Sequence, residues 1–454
     1  GVLHSGHQGF WHDEIYTLSF LQGTSVYDFD GSIWASLGST FDSDSCKEIL
    51  NQDRFISNFT TLILHEGHPP LYFVLLKIWS TIFGSSEIGL RSFSLACGIL
   101  IFLILFYLFK KHSRKNYVPC VMLASLLFNP FLFYFFTEAR MYALASLLAV
   151  LSFNFWLEFH ENGKIKSYSF LYFCLSSIAL LYTHYYGIFF LSSLAFYDLL
   201  RYGFKRSLLR HIIPLIFFLP WSLIIKKQLS FHAIHWTDGS VPFVDSMNGF
   251  IQSFINLLIS PSSAPALYEQ IAILLFITIL LFILLAKDWK FGLIISSVVM
   301  GYGFQVFIFD QIIDHHTILV PRYYLFALIF IYWGGLKALE TSFEKLELVG
   351  LTIYGVCSII SFSEIYRLER APKEMIKEVA AFIDQHENNE RTSIVIEPKG
   401  PIVFGLSYYL TKNYNIILAD LTPDLIVKPA VFVDEMLGVP FRENKLHNSQ
   451  QKEL

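Results

Sequence analysis

Two adjacent carboxylates, Asp13 and Glu14, lie between Trp11 and Tyr16 near the start of the chain. A carboxylate at a membrane surface can act as a general base that accepts the proton of an acceptor hydroxyl. The same pair can form the acidic first turn of a helix, because carboxylates stabilise helix N-termini. Taken alone, the pair favours the helix interpretation, so a catalytic role needs support from other residues.

Two arginines that could bind a phosphate lie beside apolar segments. Arg140 follows Glu138 in the segment FFTEARMYA, and Arg322 precedes Tyr323 in the segment PRYY. A guanidinium group suits phosphate because of its planar fork of donors. Arg140 could instead pair with Glu138, and Arg322 could extend its side chain to the membrane surface. The local sequence leaves both alternatives open.

Other polar residues flank apolar runs in the same way. They are His65, Glu66 and His68; His184, Tyr185 and Tyr186; His232, His235, Trp236 and Asp238; and Asp310, Asp314, His315 and His316. Tyrosine and histidine in such positions are typical of the aromatic belt of a membrane protein. His315 and His316 could bind a metal, but adjacent histidines lack the spacing of metal ligands on a helix.

The composition indicates that lipid surrounds most of the chain. Of the 454 residues, 54% are hydrophobic and 15% are charged, whereas roughly a quarter are charged in a soluble domain. The formal net charge is −4, so the polybasic character of a nucleic-acid-binding protein is absent and no nucleic-acid partner is predicted. The five cysteines include no CxxC pair and suggest no disulfide framework.

Apolar runs recur from Ile88 onward, and we predict about ten spanning helices because each run approaches the roughly 20 residues that a span needs. They are Ile88–Phe109, Tyr117–Phe136, Met141–Phe159, Tyr168–Tyr182, Tyr186–Leu200, Ile212–Ile225, Tyr268–Ala286, Phe291–Phe309, Tyr323–Leu339 and Leu346–Ser363. The stretch His68–Gly84 is short and interrupted by Lys77, so we expect a helix at the outer interface, anchored by Tyr72 and Trp79.

Lysine and arginine are concentrated in alternate loops between these runs, for example at Lys110, Arg201 and Lys287. Because the positive loops of membrane proteins are cytoplasmic, we expect the residues before Ile88 and after Ser363 to lie outside. The candidate acids, histidines and arginines then share the outer side. That arrangement suits chemistry on a lipid-phosphate substrate.

The composition changes after Ser363. The segments APKEMIKEVAAFIDQHENN and GPIVFGLSYYLTK have helical patterns, whereas TSIVIEP, NIILAD and AVFVDE have strand patterns. We therefore predict four regions. They are a first extracytoplasmic loop with interfacial helices at 1–87, a helical membrane bundle at 88–363, a small extracytoplasmic α/β domain at 364–440 and a disordered tail at 441–454.

Several motifs occur in one order along the chain: WHDEIYTLSF, HPPLYFVLLKIWSTIFG, TEARMYALASLLAVLSF, YTHYYGIFFL, LPW and PRYYLFAL. The set resembles the membrane glycosyltransferases of the GT-C fold, and most closely the bacterial relatives of dolichyl-phosphate-mannose–protein mannosyltransferases and aminoarabinose–lipid A transferases (family 39). The resemblance covers about residues 9–340. Members of that family have a spanning helix directly before the Asp-Glu loop, and we expect this helix to precede Gly1.

The resemblance implies an α-helical polytopic membrane enzyme of the GT-C type in the bacterial inner membrane. It would transfer a sugar from a polyprenyl-phosphate donor to a hydroxyl of a lipid, glycan or protein acceptor at the extracytoplasmic face. Asp13 matches the family's acidic catalytic residue and, with Glu14 beside it, would prepare the acceptor for inverting, in-line attack. No cofactor is implied, and a divalent metal is a minor alternative.

The resemblance also implies roles for the other polar candidates. Arg140 and Arg322 would stabilise the leaving phosphate, an electrostatic contribution that is usually large in transfer reactions. Glu138 would orient Arg140. The remaining predicted substrate-binding residues are His68, His184, Tyr185 and Tyr323.

Functions of other classes are compatible with a polytopic chain. A transporter or flippase of lipid-linked sugars would commonly show inverted repeats and ionisable groups near the bilayer midplane, and no repeat is visible in the sequence. An envelope glycan polymerase or ligase would share the many spans and the outer arginines. The Asp13–Glu14 motif argues against that class, and a non-catalytic scaffold is a further alternative.

Overall fold

The computed structural model describes residues 9–24, 40–51, 53–162, 168–228, 242–258, 267–313, 317, 321–341, 350, 376–386, 393–396, 400–418, 430–434 and 439–440. The chain forms two compact units. The helical unit consists mainly of Gly67–Tyr72 and Arg91–Arg370, and the sheet unit consists of Val2–Glu66, Phe73–Leu90 and Ala371–Leu454.

The elements follow in chain order. The first are α1 (His12–Leu21), β1 (Thr40–Asp42), α2 (Ser43–Asn51), α3 (Phe55–His65), α4 (Leu71–Phe83), α5 (Glu87–His112), α6 (Val118–Leu127), α7 (Pro130–Phe136), α8 (Tyr142–Asn162), α9 (Tyr168–Leu181), α10 (Gly187–Tyr202), α11 (Phe204–Phe218) and α12 (Ser222–Gln228). The others are α13 (Phe243–Leu258), α14 (Leu267–Lys287), α15 (Trp289–Ser296), α16 (Tyr302–Ile313), α17 (Leu325–Thr341), α18 (Ile376–His386), β2 (Ser393–Ile396), α19 (Gly400–Tyr409), β3 (Asn415–Leu418), β4 (Ala430–Asp434) and β5 (Val439–Pro440).

The sheet unit is built on a five-stranded sheet in the order β1–β3–β2–β4–β5. Strands β3, β2 and β4 are parallel, and the two edge strands run antiparallel to their neighbours. The predicted strand segments therefore contain strands β2, β3 and β4. Strand β1 pairs Thr40 with Ile417, so the sheet includes an N-terminal strand that the sequence pattern did not predict. The four predicted domain boundaries stay predictions.

Helix α18 shows why the predicted amphipathic pattern forms a helix. Its buried residues are Ile376, Val379, Ala380 and Ile383, which recur at the spacing of one helical face. This face lies in the core of the sheet unit, whereas Phe382 on the other side is exposed.

Lys77, the residue that interrupts the apolar stretch His68–Gly84, has a structural role in the sheet unit. Its ammonium group donates to the carbonyl of Leu21 at 2.8 Å, at the end of α1, and to Asp53 at 2.9 Å. A lysine suits a helix C-terminus because the last carbonyls have no partners within the helix. The hydrogen bond from Lys77 is the main reason why the pKa of Asp53 is lower than usual. Helix α4 itself has 13 residues, which is too short to cross a bilayer.

In the described part of the chain, four helical segments are long and apolar enough to span a membrane: Glu87–His112, Tyr142–His160, Phe204–Gln228 and Trp289–Ile313. A fifth is obtained if α6 and α7, which meet at an angle of 65°, are counted as one broken span. The prediction of about ten spans is therefore not confirmed.

Several predicted spans are not counted because their helices are too short to cross a membrane. Helix α9 has 14 residues, α10 has 16 and α17 has 17, against the roughly 20 that an untilted span requires. The predicted span Leu346–Ser363 lies outside the described residues, apart from Gly350.

A buried carboxylate joins three helices of the helical unit. Asp198 of α10 accepts hydrogen bonds from Arg210 at 3.2 Å and His211 at 3.1 Å, both on α11. His160 of α8 lies 2.6 Å from the same carboxylate. Buried charges need partners, and this cluster supplies them. Helix α11 begins at Phe204, well before the predicted span start at Ile212.

The bend between α6 and α7 has a cause in Asn129 and Pro130. Proline has no backbone N–H and is suited to the first position of a helix, so α7 starts anew at Pro130. The buried Asn129 side chain accepts the N–H of Leu132 at 2.9 Å and donates to the Tyr332 hydroxyl at 3.2 Å. One side chain therefore caps α7 and ties it to α17.

Replacing Asn129 by alanine should lower the stability by about 1–3 kcal/mol, since it removes a helix cap and leaves a buried hydroxyl with one partner fewer. The effect is measured as a lower apparent Tm of the purified protein in detergent. Asn116→Ala, at an exposed position, is the matched control and should leave the Tm unchanged. Equal Tm values for the two variants would contradict the capping role of Asn129.

Candidate active site

Two predicted motifs of the helical unit meet in the structure. The backbone N–H of Leu71, in the HPPLY motif, donates to the carbonyl of Tyr182 at 2.9 Å, in the YTHYY motif. The ring of His68 lies 5.7 Å from the ring of His184, measured between centroids. The bond and the ring contact hold the loop before α4 against the loop between α9 and α10.

His184 is at the centre of an aromatic enclosure and is 3% exposed. The ring centroids of Tyr142 and Tyr323 each lie 5.8 Å from the imidazole, and that of Tyr186 lies at 5.6 Å. Tyr186 and Tyr323 are stacked on each other at 4.4 Å. The EARMY, YTHYY and PRYY motifs, which are far apart in the chain, therefore surround one histidine.

The hydrogen bonds of His184 define its tautomer. Its Nδ1 accepts the backbone N–H of Tyr186 at 3.2 Å, so Nδ1 carries no hydrogen. The neutral imidazole then carries its hydrogen on Nε2. This Nε2 is buried and has no hydrogen-bond partner among the described residues. The structure thus presents a buried N–H donor at a point where an oxygen of a ligand could accept it.

The electrostatic surroundings of His184 favour an anion. Burial lowers the pKa of His184 well below the ordinary histidine value, and the nearby charges of His68, Arg140 and Arg322 lower it further. The imidazole is therefore neutral at physiological pH. Two guanidinium groups close enough to affect its protonation create a positive potential in which a phosphate would be stabilised.

The two arginines are held in different ways. Arg140 is 6% exposed; its backbone N–H donates to the carbonyl of Glu138 at 2.8 Å, and its carbonyl accepts the Ser94 hydroxyl at 3.4 Å. The guanidinium of Arg322 lies over the rings of Tyr142 at 5.9 Å and Tyr323 at 5.8 Å. Glu138 is completely buried, next to Arg140 in the chain.

Tyr185 points to a neighbouring group of polar side chains. Its hydroxyl donates to Gln228 and accepts the indole N–H of Trp221 at 3.0 Å. Trp221 is the tryptophan of the LPW motif, which is thereby joined to the same loop as His184. On the other side of the loop, the hydroxyl of Tyr186 donates to Thr317, and Thr317 donates to the buried carboxylate of Asp310 at 2.5 Å.

Asp13 and Glu14 lie in the sheet unit, at the start of α1. Glu14 is fully buried, and its carboxylate accepts the backbone N–H of Trp11 at 3.4 Å. This is the reciprocal bond of a helix capping box, so Glu14 serves the start of α1. Asp13 is 9% exposed, and its carboxylate lies 3.4 Å from Nε2 of His12. The two acids therefore have different surroundings.

The structure thus brings together five of the predicted substrate-binding residues in the helical unit, namely His68, Arg140, His184, Arg322 and Tyr323. Tyr186, one of the polar residues that flank the apolar runs, also contributes to this site. Tyr142 and Thr317 contribute as well and were not predicted, because aromatic and hydroxyl side chains beside apolar runs are common in membrane proteins. Among the described residues, no three His, Cys, Asp or Glu side chains are grouped as a metal site would require. The candidates His232, His235, Asp238, Asp314, His315 and His316 lie outside the described residues.

Comparison with known proteins gives a family match over part of the chain and a likeness to solved structures. The sequence profile of the dolichyl-phosphate-mannose-protein mannosyltransferase family matches residues 67–226. ArnT from Cupriavidus metallidurans in its apo state is structurally similar with a TM-score of 0.50 and 12% identity, over 75% of this chain and 74% of ArnT. ArnT bound to undecaprenyl phosphate is similar with a TM-score of 0.50 and 13% identity, over 76% of this chain and 75% of ArnT. No curated protein matches the chain at a significant level.

At such low identity, the likeness to ArnT shows the fold. The chain has the GT-C fold of membrane glycosyltransferases, and the family match covers the HPPLY, EARMY, YTHYY and LPW motifs. The resemblance inferred from the order of the motifs is therefore confirmed.

The lowered pKa of His184 leads to a prediction about pH. Because the folded protein keeps His184 neutral, the unfolded chain binds more protons below the ordinary histidine pKa of about 6.5. The contribution of His184 to stability is therefore complete above about pH 6.5 and is lost as the pH falls below it. The apparent Tm of the wild type should fall more steeply than that of His184→Gln between about pH 7 and pH 5.

The comparison is made by thermal unfolding in detergent over that range. Asn116→Ala, at an exposed position without a titratable group, is the control, and its curve should run parallel to that of the wild type. Parallel curves for the wild type and His184→Gln would show that His184 is not held neutral by its surroundings.

Proposed function

We propose that this protein is a membrane glycosyltransferase that moves a sugar from a polyprenyl-phosphate donor to a hydroxyl of a lipid, glycan or protein acceptor. The reaction would take place at the extracytoplasmic face of the bacterial inner membrane, by an inverting mechanism that does not require a metal. The observation that carries the proposal is the buried Nε2–H of His184, without a partner among the described residues, in the positive potential of Arg140 and Arg322.

In this proposal the site around His184 binds the phosphate of the donor. The imidazole donates one hydrogen bond to a phosphate oxygen, and the guanidinium groups of Arg140 and Arg322 compensate its negative charge. That charge increases as the bond between the anomeric carbon and the phosphate oxygen breaks. Donors fixed in advance at the leaving group stabilise the transition state more than the ground state, which is the condition for catalysis.

Asp13 is the proposed general base. Its carboxylate takes the proton of the acceptor hydroxyl while the acceptor oxygen forms a bond to the anomeric carbon. The electron pair of the breaking bond leaves with the phosphate oxygen, so the products are a glycoside and a polyprenyl phosphate. Glu14 keeps the first turn of α1 in place through its bond to Trp11.

The comparisons support a lipid-phosphate donor. The matching family is described as dolichyl-phosphate-mannose-protein mannosyltransferase, and one of the similar ArnT structures holds undecaprenyl phosphate. Both descriptions contain a polyprenyl phosphate. Only the family description names a sugar and an acceptor, so both are proposed here only as chemical classes.

Replacing Asp13 by asparagine should lower sugar transfer by about 10²- to 10⁴-fold, the usual contribution of a general base. The substitution keeps the shape of the side chain, so protein level and apparent Tm should stay unchanged. Transfer is measured as label moved from a panel of polyprenyl-phosphate sugars into acceptors of a membrane fraction. Asp44→Asn, at an exposed acid of the sheet unit, is the matched control with normal transfer.

Two outcomes would contradict the proposal. Normal turnover by Asp13→Asn would remove Asp13 from the mechanism. Movement of intact lipid-linked sugar across a vesicle membrane, without transfer to any acceptor, would indicate a transporter instead.

Replacing Arg322 by glutamine should weaken binding of undecaprenyl phosphate by about 10- to 100-fold, because a hydrogen bond to a charged group contributes about 1.5–3 kcal/mol. Binding is measured with radiolabelled lipid and purified protein. Arg206→Gln, at an exposed arginine of the helical unit, should change the Kd less than about twofold. Undecaprenol, which lacks the phosphate, should bind equally to both variants, and a loss of undecaprenol binding by Arg322→Gln would show that the variant disturbs the lipid-tail site instead.

A further inference from the structure

The residues directly before Asp13 are held by groups from distant parts of the sheet unit. The backbone N–H of Phe10 donates to the hydroxyl oxygen of Tyr409 at 2.7 Å. The same hydroxyl donates to the carboxylate of Glu87 at 2.9 Å. The hydroxyl of Tyr409 therefore joins the segment before α1 to the first residue of α5.

Lys377 completes this arrangement. Its ammonium group lies 3.3 Å from the same oxygen of Glu87 and 5.6 Å from the ring centroid of Tyr409. A Cβ at Gly9 would approach Cβ of Lys377 to 2.7 Å and the Tyr409 hydroxyl to 3.3 Å. The chain at Gly9 consequently passes so close to this group that a side chain would not fit without displacing it.

Helix α19 also packs directly against α1. The rings of Phe10 and Tyr408 meet edge to face at 5.8 Å, and a Cβ at Gly405 would lie 3.3 Å from the side chain of Ile15. Phe10 and Ile15 are both completely buried. They lie on either side of Asp13 in the chain, so both ends of the Asp13 segment are in contact with α19.

Tyr409 has the properties of a permanent hydrogen-bonding group. Burial raises its pKa, and the charge of Glu87 raises it further. The phenol therefore stays protonated at any working pH, so that it donates to Glu87 while its oxygen accepts the N–H of Phe10.

We propose that Tyr409 is a positioning residue for Asp13, which acts by fixing the backbone of Phe10 through the hydroxyl that it shares with Glu87. This inference rests on the proposed function of Asp13 as the general base. It assigns a part in catalysis to a residue of α19, near the C-terminal end of the chain. A base displaced by about 1 Å can cost about 100-fold in rate, so the bond to Phe10 should affect turnover more than substrate binding.

The test compares Tyr409→Phe with Tyr408→Phe in the full-length membrane protein. Both variants lose one hydroxyl from adjacent residues of α19, but the hydroxyl of Tyr408 makes no hydrogen bond with the described residues. Tyr409→Phe should lower kcat by about 10- to 100-fold and leave the KM for the polyprenyl-phosphate sugar within about twofold. Tyr408→Phe should retain wild-type kcat and KM.

Hydrogen–deuterium exchange provides a readout that does not depend on activity. The peptide that contains Phe10 should exchange faster in Tyr409→Phe and at the wild-type rate in Tyr408→Phe, because only the first variant loses the acceptor of the Phe10 N–H. Glu87→Gln should give an intermediate result, since the Tyr409 hydroxyl keeps an uncharged acceptor. If Tyr409→Phe is not stably folded, Glu87→Gln replaces it in the test. Faster exchange at Phe10 than in the wild type then supports the positioning role of Tyr409, and wild-type exchange contradicts it.

The outcomes separate this inference from the proposed function. If Asp13→Asn is inactive and Tyr409→Phe has the kcat of Tyr408→Phe, the positioning role is wrong and the function of Asp13 stands. If Asp13→Asn is fully active, the proposed function fails and the positioning role fails with it. A fall in kcat together with faster exchange, confined to Tyr409→Phe, supports the proposal.

Discussion

A buried hydrogen-bond donor without a partner is costly, by about 1–3 kcal/mol, and the helical unit contains one at His184. Its Nε2 is enclosed by the rings of Tyr142 and Tyr323 and has no partner among the described residues. The other ring nitrogen is held by the backbone of Tyr186, so the imidazole cannot relieve the cost by turning over without losing that bond. The HPPLY, EARMY, YTHYY and PRYY motifs all place side chains around this histidine.

The electrostatic surroundings of His184 decide its protonation state and the kind of ligand that its N–H could bind. Burial destabilises the charged form of the imidazole and lowers the pKa of His184, and the nearby charges of His68, Arg140 and Arg322 lower it further. A neutral imidazole donates its Nε2 hydrogen to an anion without adding a further positive charge to those of the nearby guanidinium groups. His184 is buried among aromatic rings, and an interaction with a charged ligand is stronger in such surroundings than in water. The donor geometry and the sign of the potential are the two features on which the proposed phosphate ligand rests.

Many elements of both units were predictable because their sequence signals are local. Apolar runs gave the positions of α5, α8 and α15–α16, and the strand segments after Ser363 gave β2 to β4. The number of spans was less predictable, since α9 and α10 are as apolar as longer helices but end early. The break at Pro130 was equally hard to predict. The sequence of one continuous helix and that of two helices separated by a cap differ at only one or two residues.

The site was predictable in part, for the same reason. Arginine and histidine beside apolar runs are unusual enough to be recognised singly, whereas Tyr186 and Thr317 become significant only through the chain of bonds to Asp310. The bond from Phe10 to Tyr409 joins residues about 400 positions apart, and no local pattern records it. Strand β1 was missed similarly, since its three residues are too few to show an alternating pattern.

The most direct test of this account is a cryo-electron microscopy structure of the full-length protein with undecaprenyl phosphate. The account predicts a phosphate oxygen within about 2.7–3.2 Å of Nε2 of His184, with the guanidinium groups of Arg140 and Arg322 on the same phosphate. A well-resolved lipid phosphate at another place, with Nε2 of His184 still without a partner, would contradict the central claim.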